Sequence, residues 1–306
     1  MRGKKIIKIM LISLIGIFVV ADLAGGAYLF NYAFKKGGYS STTVSHKPLT
    51  GNNKWFNEQD QKIWTEKSKD GLTLKARYLP AAQKTNKTVV VIHGYGSASK
   101  YMGSFVRIFH DAGYNVLAPD NRSFGMSGGE YAGYGWKDRS DIMEWISRIN
   151  EVNGKDSQIG MYGISMGAAT VMYTLGKQPE NVKWAIEDCG YATISGELNY
   201  QLKDMFGLPS FPLVQTAAIY SKMFAGYNFY EANTKNTLKK SHVPLFLIHG
   251  SKDKFVPTSN IYTNYKNAND PKKMWIVKGA GHGEAYNKEK FKYIKEVTDY
   301  AAQYFK

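Results

Sequence analysis

Gln158-Ile159-Gly160-Met161-Tyr162-Gly163-Ile164-Ser165-Met166-Gly167 is the stretch on which the reading of this chain turns. Gln158 to Tyr162 is short, largely apolar and predicts a strand, and Met166 to Lys177 predicts a helix. Between them stands Gly163-Ile164-Ser165-Met166-Gly167, a Gly-x-Ser-x-Gly pattern. On a sharp strand-to-helix turn this spacing exposes the serine, and the glycines two residues away let neighbouring backbone pass without a Cβ clash. Five such residues recur by chance. The strand before and the helix after them are what make Ser165 a candidate nucleophile.

A serine hydroxyl needs a base to attack at neutral pH. His282 fits, because Gly279-Ala280-Gly281-His282-Gly283 follows the last predicted strand and a glycine-rich loop can bring an imidazole back over a sheet. His93 and His249 each end a strand in a His-Gly pair, where a structural role is expected. His46 falls in a linker, His110 on a helix and His242 before Pro244. The acid that orients the base is expected at Asp253, after the strand Leu245 to Ile248 and between Ser165 and His282 in chain order. Asp188 competes for that role. Two N–H donors should meet the developing oxyanion: Met166, directly after the nucleophile, and Tyr95 in His93-Gly94-Tyr95-Gly96.

Working outward, strands are predicted at Lys62 to Glu66 and Leu72 to Leu79, joined by Asp70-Gly71 as a hairpin. Thr88 to Ile92 is a continuous β-branched run, the pattern of a strand buried on both faces. Asn115 to Ala118, Val182 to Ile186, Leu245 to Ile248 and Lys273 to Val277 complete the strands. Helices are predicted at Tyr101 to Ala112, Gly135 to Asn150, Ser259 to Asn267 and Asn287 to Tyr304. The alternation predicts an α/β fold with a mainly parallel sheet, helices on both faces and an antiparallel hairpin at one edge. Residues 190–242 interrupt it with many aromatics and methionines, which reads as a helical cap over the site.

The composition, 43% apolar and 14% aromatic, supports a sizeable core in the 306 residues. The single cysteine, Cys189, excludes a disulfide framework and a cysteine-rich metal site. Net charge is +15, of which +5 falls in the first 36 residues. With no nucleic-acid motif and no Lys/Arg run in the folded part, no nucleic-acid partner is expected. The basic surface suits solubility, or an anionic lipid or cell-wall surface.

Residues 9–34 carry one charge, Asp22, and are otherwise mostly apolar or small, with Arg2, Lys4, Lys5 and Lys8 before them and Lys35-Lys36 after. About 20 such residues cross a bilayer, so residues 1–36 are expected to be a signal anchor, with Asp22 an expensive passenger near its centre. The positive-inside bias places the N-terminus in the cytoplasm and the folded part outside. The rival is a cleaved signal peptide ending at Val19-Val20-Ala21, which would release a secreted protein. Residues 37–54, rich in Gly, Ser, Thr and Asn, read as a linker, and the folded domain as residues 55–306.

Taken together, His93 to Gly96, Asp120-Asn121-Arg122-Ser123-Phe124-Gly125-Met126-Ser127-Gly128, the turn at Ser165, Asp253 and His282 resemble the α/β-hydrolase superfamily across roughly residues 60–306. Glu187-Asp188-Cys189-Gly190-Tyr191 and the N-terminal segment are similar to the membrane-anchored, outward-facing hydrolases of Gram-positive bacteria, related to the Bem46-like and prolyl-oligopeptidase-like branch. The resemblance implies hydrolysis of a small-molecule carboxylic ester, without metal or cofactor. A peptidase, or a cell-surface binding protein without catalysis, are the alternatives.

Overall fold

Thr88 to Ile92 is buried at every residue, as a strand covered by helices on both faces must be. The computed structural model describes residues 2–36 and 49–306. Helices α1 (Arg2–Phe34) and α2 (Gly51–Glu58) precede a hairpin of β1 (Lys62–Lys67) and β2 (Thr73–Leu79). There follow β3 (Lys87–Ile92), α3 (Gly103–Asp111), β4 (Asn115–Pro119), α4 (Asp138–Asn153), β5 (Gln158–Ile164), α5 (Met166–Leu175) and β6 (Val182–Asp188). The interruption holds α6 (Ile194–Phe206), α7 (Leu213–Tyr220) and α8 (Thr234–Leu238). The chain then runs through β7 (Leu245–Gly250), α9 (Ser259–Asn267), β8 (Lys272–Val277), α10 (Ala285–Lys288) and α11 (Lys290–Tyr304).

The strands form one sheet in the order β1-β2-β4-β3-β5-β6-β7-β8. β1 and β2 are antiparallel to their neighbours, and the strands from β4 to β8 pair in parallel. Successive side chains of a strand face opposite sides. Val89 and Val91 therefore join the layer under α2, α3 and α11, with Phe56, Phe109 and Tyr293. Val90 and Ile92 join the opposite layer under α4, α5 and α9, with Trp145, Val171 and Ile261.

Two boundaries differ from the sequence reading. Of the expected linker 37–54, residues 37–48, with His46, lie outside the described residues; Gly51 onward is already helical, and Phe56 is fully buried. The polar face of α2 docks through side chains that no apolar periodicity marks. Asn53 Oδ1 accepts from Gly103 N at 2.9 Å, and Asn57 Nδ2 donates to the Lys100 carbonyl at 2.8 Å. The predicted helix Asn287 to Tyr304 is two helices, α10 and α11, meeting at Glu289.

α1 is one unbroken helix of 33 residues, but its halves have different surroundings. Gly3 to Ala21 are exposed throughout, whereas Asp22 to Phe34 lie against the folded part, with Phe30 and Phe34 buried. The crossing with α7 is close because of glycine: a Cβ on Gly26 would lie 2.5 Å from Thr216 Cγ2. Asp22 is held at this crossing by one hydrogen bond, while its Oδ1 is buried without a partner among the described residues. Its Oδ2 accepts from Thr216 Oγ1 at 2.6 Å. The end of the helix is capped from afar: Tyr134 Oη donates to the Ala33 carbonyl at 3.0 Å, Tyr95 Oη donates to the same oxygen, and Ala132 N donates to the Phe34 carbonyl at 2.7 Å. These satisfy carbonyls that a helix end otherwise leaves orphaned.

The Asp120 to Gly128 stretch is a clamp. Asp120 accepts from Ser99 N at 2.6 Å and Met126 N at 2.9 Å. Buried Arg122 grips both oxygens of Asp141, at 2.8 and 2.7 Å, and also pairs with Asp70 at 2.8 Å. Replacing Arg122 by Ala strands the buried Asp141 carboxylate. The expected loss is about 3–5 kcal/mol of stability, measured by urea unfolding at neutral pH; a loss under about 1 kcal/mol would contradict the clamp.

Candidate active site

β5 delivers Ser165 and α5 leaves from it. Ser165 has φ 57° and ψ −118°, a strained conformation for a residue with a Cβ. Its N–H donates to the Asp188 carbonyl at 2.8 Å, which ties the turn to the end of β6. The flanking glycines are required by contact: a Cβ on Gly163 would lie 2.2 Å from the Gly167 carbonyl oxygen, and one on Gly167 2.2 Å from that of Ile92. Met166 is the first residue of α5, so its N–H is among those a helix leaves without an intrahelical partner. Gly94 packs on the serine, its Cβ position 3.3 Å from Ser165 Cβ, which brings the His93 to Gly96 loop to the same place.

His282 comes from the loop after β8. Its Nε2 is 2.9 Å from Ser165 Oγ and its Nδ1 2.8 Å from Asp253 Oδ2. Asp253 is fully buried on the loop after β7. Its other oxygen accepts from Phe255 N and Val256 N, both at 2.9 Å. Burial would raise this carboxyl, but hydrogen bonds from His249 and His282 outweigh it and hold it at about 2. It is thus ionised throughout the working range. Nδ1 of His282 is thereby assigned as the protonated nitrogen and Nε2 as the one facing Ser165. The ring of Phe255 packs against that of His282, centroids 4.9 Å apart.

The rival acid, Asp188, faces elsewhere: its Oδ2 accepts from Tyr293 Oη at 2.7 Å, and burial raises it to about 6. His93 is structural in its contacts. Its Nε2 accepts from Asn121 N at 3.0 Å while Nδ1 lies 2.7 Å from the Gly94 carbonyl, so it bridges the ends of β3 and β4 as a neutral ring. His249 is more than a strand end. Its Nε2 lies 3.3 Å from Asp253 Oδ2 and 2.9 Å from the Val256 carbonyl. Burial lowers its basicity, the hydrogen bond with Asp253 raises it, and the balance is upward.

Cys189, Asp253 and His282 offer donor atoms within 4.8 Å of one another, the spacing of a metal cluster. Asp253 and His282 are already bonded to each other, and burial pushes the thiol well above its ordinary range, away from the thiolate a metal needs. The trio fits a hydrogen-bonded pair beside a neutral thiol.

In front of Ser165 lies an apolar pocket. Leu29, Tyr32, Ala33 and Phe34 of α1 form one wall, Leu198, Leu202, Met205 and Phe206 of α6 another, and Val214 and Ala217 of α7 a third. Tyr95, Tyr134, Met166, Tyr191, Phe255 and Val256 close it from below. Residues from the 190–242 stretch and from the N-terminal helix thus line the pocket together. One acid sits in the wall: Glu197, whose Oε1 accepts from Gln201 Nε2 at 2.8 Å while Oε2 is buried with no partner. Burial raises Glu197 to about 8. In sequence it is an ordinary acidic residue in a helix's first turn.

This sheet order, with the Ser165 turn after β5 and the Asp253 and His282 loops after β7 and β8, is the α/β-hydrolase fold. The Hydrolase_4 family, described as serine aminopeptidase, S33, matches residues 83–195. The chain is 28% identical over 246 residues to the uncharacterized protein YqkD of Bacillus subtilis, covering 80% of each chain. It is 23% identical over 229 residues to the uncharacterized protein YfhR of Escherichia coli K12, covering 72% of each. Among solved structures it is similar to the Pyrococcus furiosus esterase Pf2001, with TM-score 0.68 and 24% identity, over 86% of this chain and 98% of that one. The likeness to the solved structure shows the fold.

Glu197 gives a pH signature. A carboxyl whose pKa is higher folded than unfolded binds more protons when folded, so stability falls as pH rises from its unfolded pKa of about 4.5 toward about 8. Glu197→Gln is expected to shrink the loss between pH 5 and 8 by about 1–4 kcal/mol, as read from urea midpoints at the two pH values. An unchanged difference would show that the carboxyl is solvated.

Proposed function

We propose that the protein is a serine hydrolase that cleaves carboxylic esters through an acyl-enzyme intermediate. The observation that carries this reading is the hydrogen-bonded series Ser165 Oγ, His282 Nε2, His282 Nδ1, Asp253 Oδ2, with separations of 2.9 and 2.8 Å. His282 takes the Ser165 proton as Oγ attacks the ester carbonyl. The backbone N–H groups of Met166 and Tyr95 receive the oxyanion. As the intermediate collapses, the bond to the alcohol oxygen breaks and His282 gives that oxygen its proton. Water, deprotonated by His282, then releases the acid and restores Ser165. Asp253 stays ionised and holds the ring in the required tautomer. The apolar pocket favours an acyl or aromatic group over a charged one. A peptidase or amidase reading draws on the description of the matched family and on Glu197 in the wall, a carboxyl able to meet a substrate amine.

We infer in addition that α1 is an uncleaved membrane anchor with the folded part on the outer face. Support comes from an apolar window of mean hydropathy 2.5 that is wholly unburied, and from Arg2, Lys4, Lys5 and Lys8 at its start. The helix runs unbroken through Val19-Val20-Ala21. Cleavage there would leave the docked half in place, so the mass of the mature protein, whole or lacking residues 1–21, separates anchor from leader.

Ser165→Ala is expected to abolish p-nitrophenyl acetate hydrolysis, and Asp253→Asn to lower kcat by about 10³–10⁴-fold. Turnover retained by Ser165→Ala would sink the assignment. An aminoacyl amide cleaved faster than the ester would favour the peptidase reading.

A further inference from the structure

The length of α1 does not fit a span that stops where the folded part begins. From Ile9 to Ala21 the helix rises only about 20 Å, whereas a bilayer's hydrocarbon core is about 30 Å thick. With Lys8 at the inner edge, the outer edge falls about six or seven residues beyond Ala21, near Tyr28 and Leu29. That stretch of α1 is packed on the cap, so the cap itself must meet the acyl region there.

The surface of the cap at that level has the matching character. Ile219 on α7 and Met223 just after it are 58% and 67% exposed, and Phe211, just before α7, is 73% exposed. Tyr220 of the same helix donates to the Leu23 carbonyl of α1 at 3.2 Å, which fixes this rim beside the segment in question. Lys222 is exposed next to Met223, where an ammonium can meet lipid phosphate.

The docked half of α1 also forms part of the pocket's lip. Met205 and Phe206 line it and yet are 40% and 38% exposed, which makes them its lip. Tyr32 of α1 meets Phe206 edge-on, ring centroids 5.6 Å apart, and Leu29 lines the pocket one turn earlier. The mouth therefore lies between α6 and the part of α1 at the outer hydrocarbon boundary.

We propose that the acyl chain of a bilayer lipid enters this mouth from the outer leaflet, so that the physiological substrate is a membrane-resident acyl ester rather than a soluble one. The inference rests on the esterase reading and on the uncleaved anchor. Hydrolysis follows the same steps: the ester C–O bond breaks, Ser165 is acylated, water releases a fatty acid, and the deacylated alcohol keeps the proton from His282. The membrane-facing half of α1 brings the enzyme to its substrate, and the docked half forms the wall along which the chain slides.

The test uses the full-length chain reconstituted in phosphatidylcholine and phosphatidylglycerol vesicles that carry a fluorogenic diacylglycerol, with p-nitrophenyl acetate as the soluble comparison. The wild type is expected to hydrolyse both. A triple variant at the rim, Phe211→Ser, Ile219→Ser and Met223→Ser, is expected to lose about tenfold or more on the vesicle lipid with its p-nitrophenyl acetate rate unchanged. Wild-type turnover of the soluble ester but not of the vesicle lipid overturns the inference and leaves the esterase reading standing. So does a rim variant that keeps full lipid turnover, or one that loses both activities equally. Failure of the wild type on both esters overturns the esterase reading itself.

Discussion

The left-handed backbone at Ser165 is the constraint on which the rest of the site depends. Holding a side-chain-bearing residue at φ 57° costs on the order of 1–3 kcal/mol. The surroundings fix it: β5 hands the chain to α5 across a gap too narrow for a Cβ at Gly163 or Gly167, and Asp188 holds the Ser165 N–H. Because β5 lies between β3 and β6, the turn comes out above the middle of the sheet. The loops after β7 and β8 rise on the same edge, and Asp253 and His282 reach the serine from there. The His93-Gly94 loop after β3 closes on the other side.

Much of this was legible in the sequence, and for a physical reason. Parallel strands buried on both faces must be unbroken apolar runs, so Thr88 to Ile92 and Leu245 to Ile248 announced themselves and fell within two residues of the observed strands. Ser165, Asp253 and His282 were readable because chain order and strand ends place them, and the structure brings those side chains within hydrogen-bonding distance of one another. What escaped was whatever depends on contacts far apart in sequence. His249 looks like a strand end until Asp253 is seen beside it. Glu197 looks like a helix-start acid until it is seen buried in the pocket wall. α2 is too polar to show periodicity, and its asparagines earn their meaning only from Gly103 and Lys100.

α1 shows the same limit most clearly. A helix apolar all round gives no sign of which part faces lipid and which packs on protein. The docked part is set by Gly26 against Thr216, by Asp22 on the Thr216 hydroxyl and by tyrosines about 62 and 101 residues downstream of the carbonyl they cap. On the proposed reading, one segment then serves as tether and pocket wall. A change in the docking of α1 would move Leu29 and Tyr32, and with them the shape presented to the acyl group.

The central claim is that Ser165 is the nucleophile, and its most direct test is to map the residue that a fluorophosphonate modifies. The full-length protein would be treated with the reagent, digested and sequenced by mass spectrometry. The account predicts one phosphonylated residue, Ser165, with labelling lost when His282 is replaced by Ala. Phosphonylation of another residue, or no adduct on folded protein, would contradict it.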